Sequence, residues 1–285
     1  MPKSTAPKWN LGKPLALIFT VAVIVALFSL RGYSQEKKSK RPGDRVRNEP
    51  VIRKPEAEAR HPDDGQALIT YIRQHLIRPP ATAAYNLTHP EKSHFTQYSR
   101  QSQNAYGIFN AKPKGVFVEA RARDGEEGSH TLYFEKHLSW TGILVEPDPS
   151  LFEALMSKNR RAFAVHANLA TSDGSLTSRN KNLPPNPSLN RLTSNSLPGP
   201  PVPSVPLFSV LQALNTTRID FLSLDVEGAE LQVLQTIPWD RVKVRLMCVK
   251  ANRVPGGPTF LTQYMEEQGY ASLGLTENDV WFAFL

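Results

Sequence analysis

One cysteine, Cys248, occurs in 285 residues, so no disulfide can form within a single chain and cysteine usage reports no redox compartment. Residues with metal-ligand chemistry are equally sparse. His130, His137 and His166 share no spacing that would bring two of them to one metal, so no metal is expected. No serine sits in the glycine-flanked pattern of a nucleophile elbow, which removes the commonest hydrolase signal.

A basic globular surface is also missing. The net charge is +8, from 34 Lys and Arg against 26 Asp and Glu. Lys3, Lys8 and Lys13 supply +3 of it, and residues 31–60 hold ten basic residues against five acids, which supplies the other +5. Residues 61–285 therefore sum to zero. Displacing counterions from phosphates needs a basic face, so no nucleic-acid partner is expected.

Charge is absent altogether from "PLALIFTVAVIVALFSL", residues 14–30. At about 1.5 Å per residue, a helix of that length is near the lower limit for crossing the hydrocarbon core. It has no polar face, which argues against a buried core helix. No clear small-residue cleavage site follows, which favours an uncleaved signal anchor in membrane lipid over a cleaved signal peptide. Its orientation is open. Lys and Arg are more numerous on the C-terminal side, which favours a cytoplasmic C-terminus. The sequons Asn86-Leu87-Thr88 and Asn215-Thr216-Thr217 have meaning only in a lumenal chain.

The chain then divides into a basic tail (1–13), the anchor (14–30), a basic stalk (31–60) and a globular domain (61–285). The stalk has too little apolar surface to offset chain entropy. Within the domain, a stretch rich in Pro, Ser and Asn at 171–206 forms no regular element. "DDGQALITYIRQHLI" places Leu68, Ile69, Ile72, Leu76 and Ile77 at helical spacing, stopped by Pro79-Pro80. Residues 80–112 are polar and read as a loop laid over the domain.

From 115 onwards strand and helix patterns alternate. Strands are expected at "GVFVEA", "GILVEP", "AFAVHAN", "IDFLSLDV" and "VKVRLMCV", and helices at "SHTLYFEKHL", "DPSLFEALMSKN", "LFSVLQAL" and "GAELQVLQTI". Asp148 and Pro149 form the cap and first position of one helix. A helix near 259–268 and an antiparallel pair through 270–285 finish the chain. This is the pattern of a doubly wound, mostly parallel α/β sheet.

Open parallel sheets bind ligands at the carboxyl ends of their strands. Acids fall there three times: Glu119 followed by Asp124 and Gly125, then Glu146, then Asp225 with Glu227. A carboxylate ending the second strand can accept both hydroxyls of a ribose. Any one of these acids alone reads as a helix cap, stabilised by the helix dipole. Together they favour a nucleoside site.

"FVEARARDGEEGSHTLYFEKHLSWTGILVEPDP" and "IDFLSLDVEGAELQVLQTIPWD" resemble the FkbM family of S-adenosylmethionine-dependent methyltransferases. With the anchor and "PDDGQALITYIRQHLIRPP", the chain is most similar to its Star-like branch. The resemblance implies a Rossmann-like fold of the S-adenosylmethionine-dependent methyltransferase type, with S-adenosylmethionine as cofactor. Glu119, Asp124 and Gly125 would lie along the methionine and ribose, Glu146 would hold the ribose hydroxyls, and Asp225 with Glu227 would face the reacting end. The branch further implies a single-pass membrane protein of the endoplasmic reticulum, Golgi or endosomal system, or of the plasma membrane. Its domain would be lumenal, serving vesicle-mediated transport of signalling ligands, with a membrane-bound protein as cargo.

Two positions depart from the family pattern. Arg121 stands at the turn glycine, and Lys250 stands at the acid closing the fifth strand. A non-glycine residue in a left-handed turn costs about 1–3 kcal/mol. A cation about 4 Å from the cationic sulfonium would cost about 4 kcal/mol at an effective dielectric of 20, or about a thousandfold in affinity. An impaired cofactor site is expected. The alternative is an active O-methyltransferase in which Arg121 turns outward onto Glu126 or Glu127.

Overall fold

Along β2 (Val116–Ala120), Phe117 points to one face of a sheet and Val118 to the other, and both are fully buried. The same double burial recurs at Ile143 and Leu144 of β3 (Thr141–Val145) and at Phe221 and Leu222 of β7 (Arg218–Leu224). Strands apolar on both sides have to be covered twice. A computed structural model of the chain, which describes residues 62–171 and 202–284, shows what covers them.

The remaining strands of this sheet are β1 (Ile77–Arg78), β4 (Phe163–Val165), β8 (Lys243–Lys250), β9 (Tyr270–Thr276) and β10 (Asp279–Phe284). Their order is β1-β4-β3-β2-β7-β8-β10-β9. The central five, β4 to β8, are parallel, and β1 and β10 run against their neighbours. On one face, Phe117, Leu144, Phe221 and Leu246 meet Ala105 of α2 (Arg100–Phe109), Phe134 of α3 (Leu132–Leu138) and Leu155 of α4 (Pro149–Ser157). On the other, Val118, Ile143, Leu222 and Met247 meet Leu211 of α5 (Leu207–Ala213), Val233 of α6 (Glu230–Gln235) and Leu261 of α7 (Gly257–Glu267). Ile72 and Leu76, which follow α1 (Pro62–Tyr71), extend that second core. The doubly wound expectation holds.

The chain moves outward from β2 to β3 to β4 and then returns to set β7 against the other side of β2. This reversal opens a crevice between the carboxyl ends of β2 and β7, the usual ligand position in such sheets.

Local chemistry explains the element boundaries. Asp148 caps α4 through Ser150 N and Leu151 N, with Pro149 first in the helix, as expected. The C-terminal hairpin forms as β9 and β10, with a register shift at Trp281/Phe282.

Three expectations need correction. Residues 80–112 are not all loop, because α2 forms there behind a short helical turn at Phe95–Gln97. Ser99 caps it through Ser102 N, and Ala105 faces the core. The expected third strand breaks after Val165, and β5 (Asn168–Leu169) instead pairs with β6 (Ser204–Val205), which lies within the segment read as having no regular element. The first helix gives way to β1 at Ile77, where pairing with Val165 satisfies the backbone. The tail, the anchor at 14–30, the stalk and most of the insert lie outside the described residues, among which no helix is long and apolar enough to cross a membrane.

Gly142 sits where a Cβ would overlap both the ring and the carbonyl of Phe117, while Gly107, inside α2, faces open space. Gly142→Ala should therefore destabilise the fold by about 1–3 kcal/mol through overpacking. Gly107→Ala should stabilise it by about 0.5–1 kcal/mol through helix propensity. Urea denaturation of both variants checks the pair; equal effects would contradict this packing of β2 on β3.

Candidate functional site

The turn leaving β2 is held down on β3. Arg121 N and Ala122 N both donate to Val145 O, at 2.8 and 3.0 Å, and Arg123 N donates to Glu146 Oε2 at 2.7 Å. Three residues of this short turn have left-handed backbones: Arg121 (φ 71), Arg123 (φ 54) and Gly125 (φ 77). Gly125 is doubly required, since a Cβ there would collide with the Leu155 side chain. Arg121 occupies a conformation suited to glycine, as its place in the turn predicted.

The acids divide into two groups. Glu119 is buried and accepts from Ser129 Oγ (2.9 Å), His130 N (2.7 Å) and Thr131 Oγ1 (2.5 Å). Asp124 accepts Glu126 N and Glu127 N at 3.0 and 2.8 Å, which closes the turn. Glu146 is 1% exposed, and its second oxygen takes Asp148 N at 2.9 Å. Burial pushes its carboxyl up, against the pull of the Asp148 and Arg123 amides. These three carboxylates organise backbone around the crevice.

Asp225 and Glu227 form the second group, just beyond the end of β7. Arg121 reaches across the crevice to both, with Nη1 at 3.4 Å from Asp225 Oδ1 and Nη2 at 2.5 Å from Glu227 Oε1. Lys250 Nζ lies 3.9 Å from Asp225 Oδ2 and 3.8 Å from Asp279 Oδ1, and Arg253 Nη1 lies 3.6 Å from Glu227 Oε2. The alternative in which Arg121 turns outward onto Glu126 or Glu127 is thus not what the structure adopts. Arg121 and Lys250, the two cations expected to oppose a cationic cofactor, are each paired with carboxylates. Arg121, Lys250 and Arg253 meet Asp225, Glu227 and Asp279 there, so none of these three cations stands unopposed.

Two supports were not legible in the sequence. Arg160, in the turn between α4 and β4, is buried and donates to Gly125 O, to Ser129 Oγ (3.4 Å) and to Thr131 Oγ1 (3.2 Å). Its charge is answered by Glu135, with Nη2 3.1 Å from Oε2. Glu126 pins the strap before α2 by accepting Thr88 N and His89 N, each at 2.7 Å, and pairs with Lys158 Nζ at 2.7 Å. A cavity of about 210 Å³ lies beside this strap, lined by His89, Lys92, Tyr98 and Glu127 among others. Among the described residues, no group of three His, Cys, Asp or Glu is placed to hold a metal ion.

A family model of the methyltransferase FkbM domain matches residues 119–272, more than half of the chain. Among solved structures the chain is similar to methyltransferase FkbM from Methylobacillus flagellatus, at 12% identity, 77% coverage of this chain and a TM-score of 0.43. It spans 58% of that protein's length. It is also similar to a methyltransferase from Pyrococcus furiosus, at 11% identity over 76% of this chain and 96% of that one, with a TM-score of 0.38. A precorrin-6y C5,15-methyltransferase from Geobacter metallireducens matches at 11% identity over 64% of this chain and 84% of that one, with a TM-score of 0.37. No curated protein matches.

Burial alone would raise the Glu126 carboxyl, but the Lys158 hydrogen bond and the two strap amides outweigh it and bring the pKa from 4.5 down to about 2. A folded pKa below the unfolded one contributes stability that is fully present above about pH 4.5 and is lost as the pH falls towards about 2. The amides of Thr88, His89 and Lys92 should stay protected from exchange down to about pH 4.5 and lose protection below it, ahead of the sheet. Glu126→Gln should release the same amides at neutral pH; unchanged protection would show that the strap is held elsewhere.

Proposed function

The chain belongs to the methyltransferase FkbM domain family, and from that premise we propose a membrane-anchored, Star-like protein acting in vesicle-mediated transport of signalling ligands from the endoplasmic reticulum towards the Golgi. Its domain faces the lumen, binds membrane-bound cargo, and has a cofactor crevice occupied by its own side chains. The occupied crevice rests on the Arg121 guanidinium, which spans from the end of β2 to Asp225 and Glu227 beyond β7. A nucleoside cofactor would lie across that same gap. Glu146, the acid for the ribose, is shut in with both oxygens on backbone amides. The uncharged run at 14–30 supports anchoring in lipid.

One observation favours a second reading, an active S-adenosylmethionine-dependent O-methyltransferase. The Arg121 side chain is 38% exposed, and ion pairs on side chains that open to water contribute only about 0–1 kcal/mol. A ligand could displace Arg121 at small cost. Glu146 also uses one bond on each oxygen, and a carboxylate has about four acceptor positions.

Calorimetry of the 61–285 domain with S-adenosylmethionine separates the two. The wild type should bind weakly or not at all. Arg121→Gly with Lys250→Glu should strengthen binding about tenfold or more, equivalent to about 1.4 kcal/mol. Adding Glu146→Ala should abolish that gain. Tight wild-type binding that disappears on Arg121→Gly would make Arg121 a working contact and put the enzyme in place of the closed crevice.

A further inference from the structure

The two glycosylation sequons stand in unlike places. At Asn86, Nδ2 donates to Ser157 O at 3.0 Å, and the backbone N donates to Lys158 O at 3.1 Å. Thr88, the hydroxyl residue of that sequon, accepts Lys158 Nζ at 2.6 Å and donates its own N to Glu126. Both residues are therefore seated on the α4–β4 turn, in the strap that Glu126 pins. Asn86 and Thr88 are themselves exposed, so what sets this sequon apart is that a sugar on Asn86 Nδ2 would compete with its bond to Ser157 O, and its Thr88 hydroxyl is engaged by Lys158.

Asn215 follows α5 in a turn with a left-handed backbone (φ 51), and both Asn215 and Thr217 are exposed. The turn is held by Asn215 N on Gln212 O at 3.1 Å, Thr216 N on Leu211 O at 2.9 Å and Thr216 Oγ1 on Leu214 O at 3.1 Å, which leaves the Asn215 and Thr217 side chains out of it. Among the described residues neither the Asn215 amide nor the Thr217 hydroxyl has a hydrogen-bond partner. The turn precedes β7, whose seven residues (Arg218–Leu224) separate it from Asp225. At about 3.3 Å per residue this places Asn215 roughly 23 Å from the crevice, at the opposite end of the sheet. Asparagine also tolerates a left-handed backbone better than most residues, but that preference asks nothing of Thr217.

We propose that Asn215 is an N-glycosylation site and that Asn86 is not used. The proposal rests on the lumenal placement argued above. In the transfer, Asn215 Nδ2 bonds to the anomeric carbon of an oligosaccharide supplied as a lipid-linked diphosphate. The anomeric carbon–oxygen bond breaks, the diphosphate leaves with the electron pair, and the amide gives up one proton to solvent. The glycan then projects from the end of the sheet that carries no crevice and leaves the face around Arg121 open to a partner.

The test uses the full chain expressed in eukaryotic cells, with a parallel copy carrying an Asn-Gly-Thr sequon in a flexible tail after Leu285. The wild type should show one mobility increment removed by peptide N-glycosidase. That increment should survive Asn86→Gln and vanish in Asn215→Gln. It should vanish equally in Thr217→Ala, which keeps Asn215 and its turn. An increment that persists in Thr217→Ala, or none at all while the tail is glycosylated, overturns the site and leaves the lumenal reading standing. A second increment lost in Asn86→Gln overturns the choice between the two sequons. An unmodified tail overturns the lumenal placement and the site with it.

Discussion

A carboxylate at the buried end of a parallel strand has to be answered by something, because an unpaired charge there is costly. In a ligand-binding sheet the answer can come from outside. Here the chain supplies it. Backbone amides and hydroxyls take up Glu119 and Glu146, and the cations Arg121, Lys250 and Arg253 take up Asp225, Glu227 and Asp279. The turn after β2 is shaped by the acids it covers, and the crevice between β2 and β7 is bridged by the longest of its own side chains.

The pairings differ in strength, and the difference matters. Glu119 and the Arg160–Glu135 pair are buried, so removing one partner leaves an uncompensated polar group in a low dielectric. They hold the turn as a rigid base. The Arg121 bridge is half-exposed and screened by water, so it is the part that another molecule could displace. Rigid support beneath a displaceable bridge fits both the closed crevice proposed above and a crevice that a ligand opens. The magnitude of the bridge, not its presence, separates a binding module from an enzyme.

Much of this was readable from residues alone, for physical reasons. Strands such as "IDFLSLDV" are apolar on both faces only when helices cover both, so the doubly wound sheet follows from the alternation. Asp148-Pro149 marks a helix start because cap and missing donor coincide. The left-handed turn at Arg121 follows from its position between β2 and Gly125. What stayed hidden depends on distance along the chain. Arg121 meets Asp225 from 104 positions away, so local pattern pointed instead to its neighbours Glu126 and Glu127. Arg160 sits in "SKNRRAF", between the expected helix and strand, and no local pattern there marks it as one of the buried charges. The helix α2 was missed because its buried face is narrow, essentially Ser102 and Ala105.

The central claim is that the chain's own cations close the crevice against a nucleoside. A crystal structure of the domain grown with S-adenosylhomocysteine in large excess tests it most directly, since that ligand lacks the sulfonium charge and removes electrostatic repulsion as an excuse. The account predicts Arg121 still lying on Asp225 and Glu227, Glu146 still on the Arg123 and Asp148 amides, and no nucleoside between β2 and β7. A ribose bound to Glu146, with Arg121 swung out of the crevice, would contradict it.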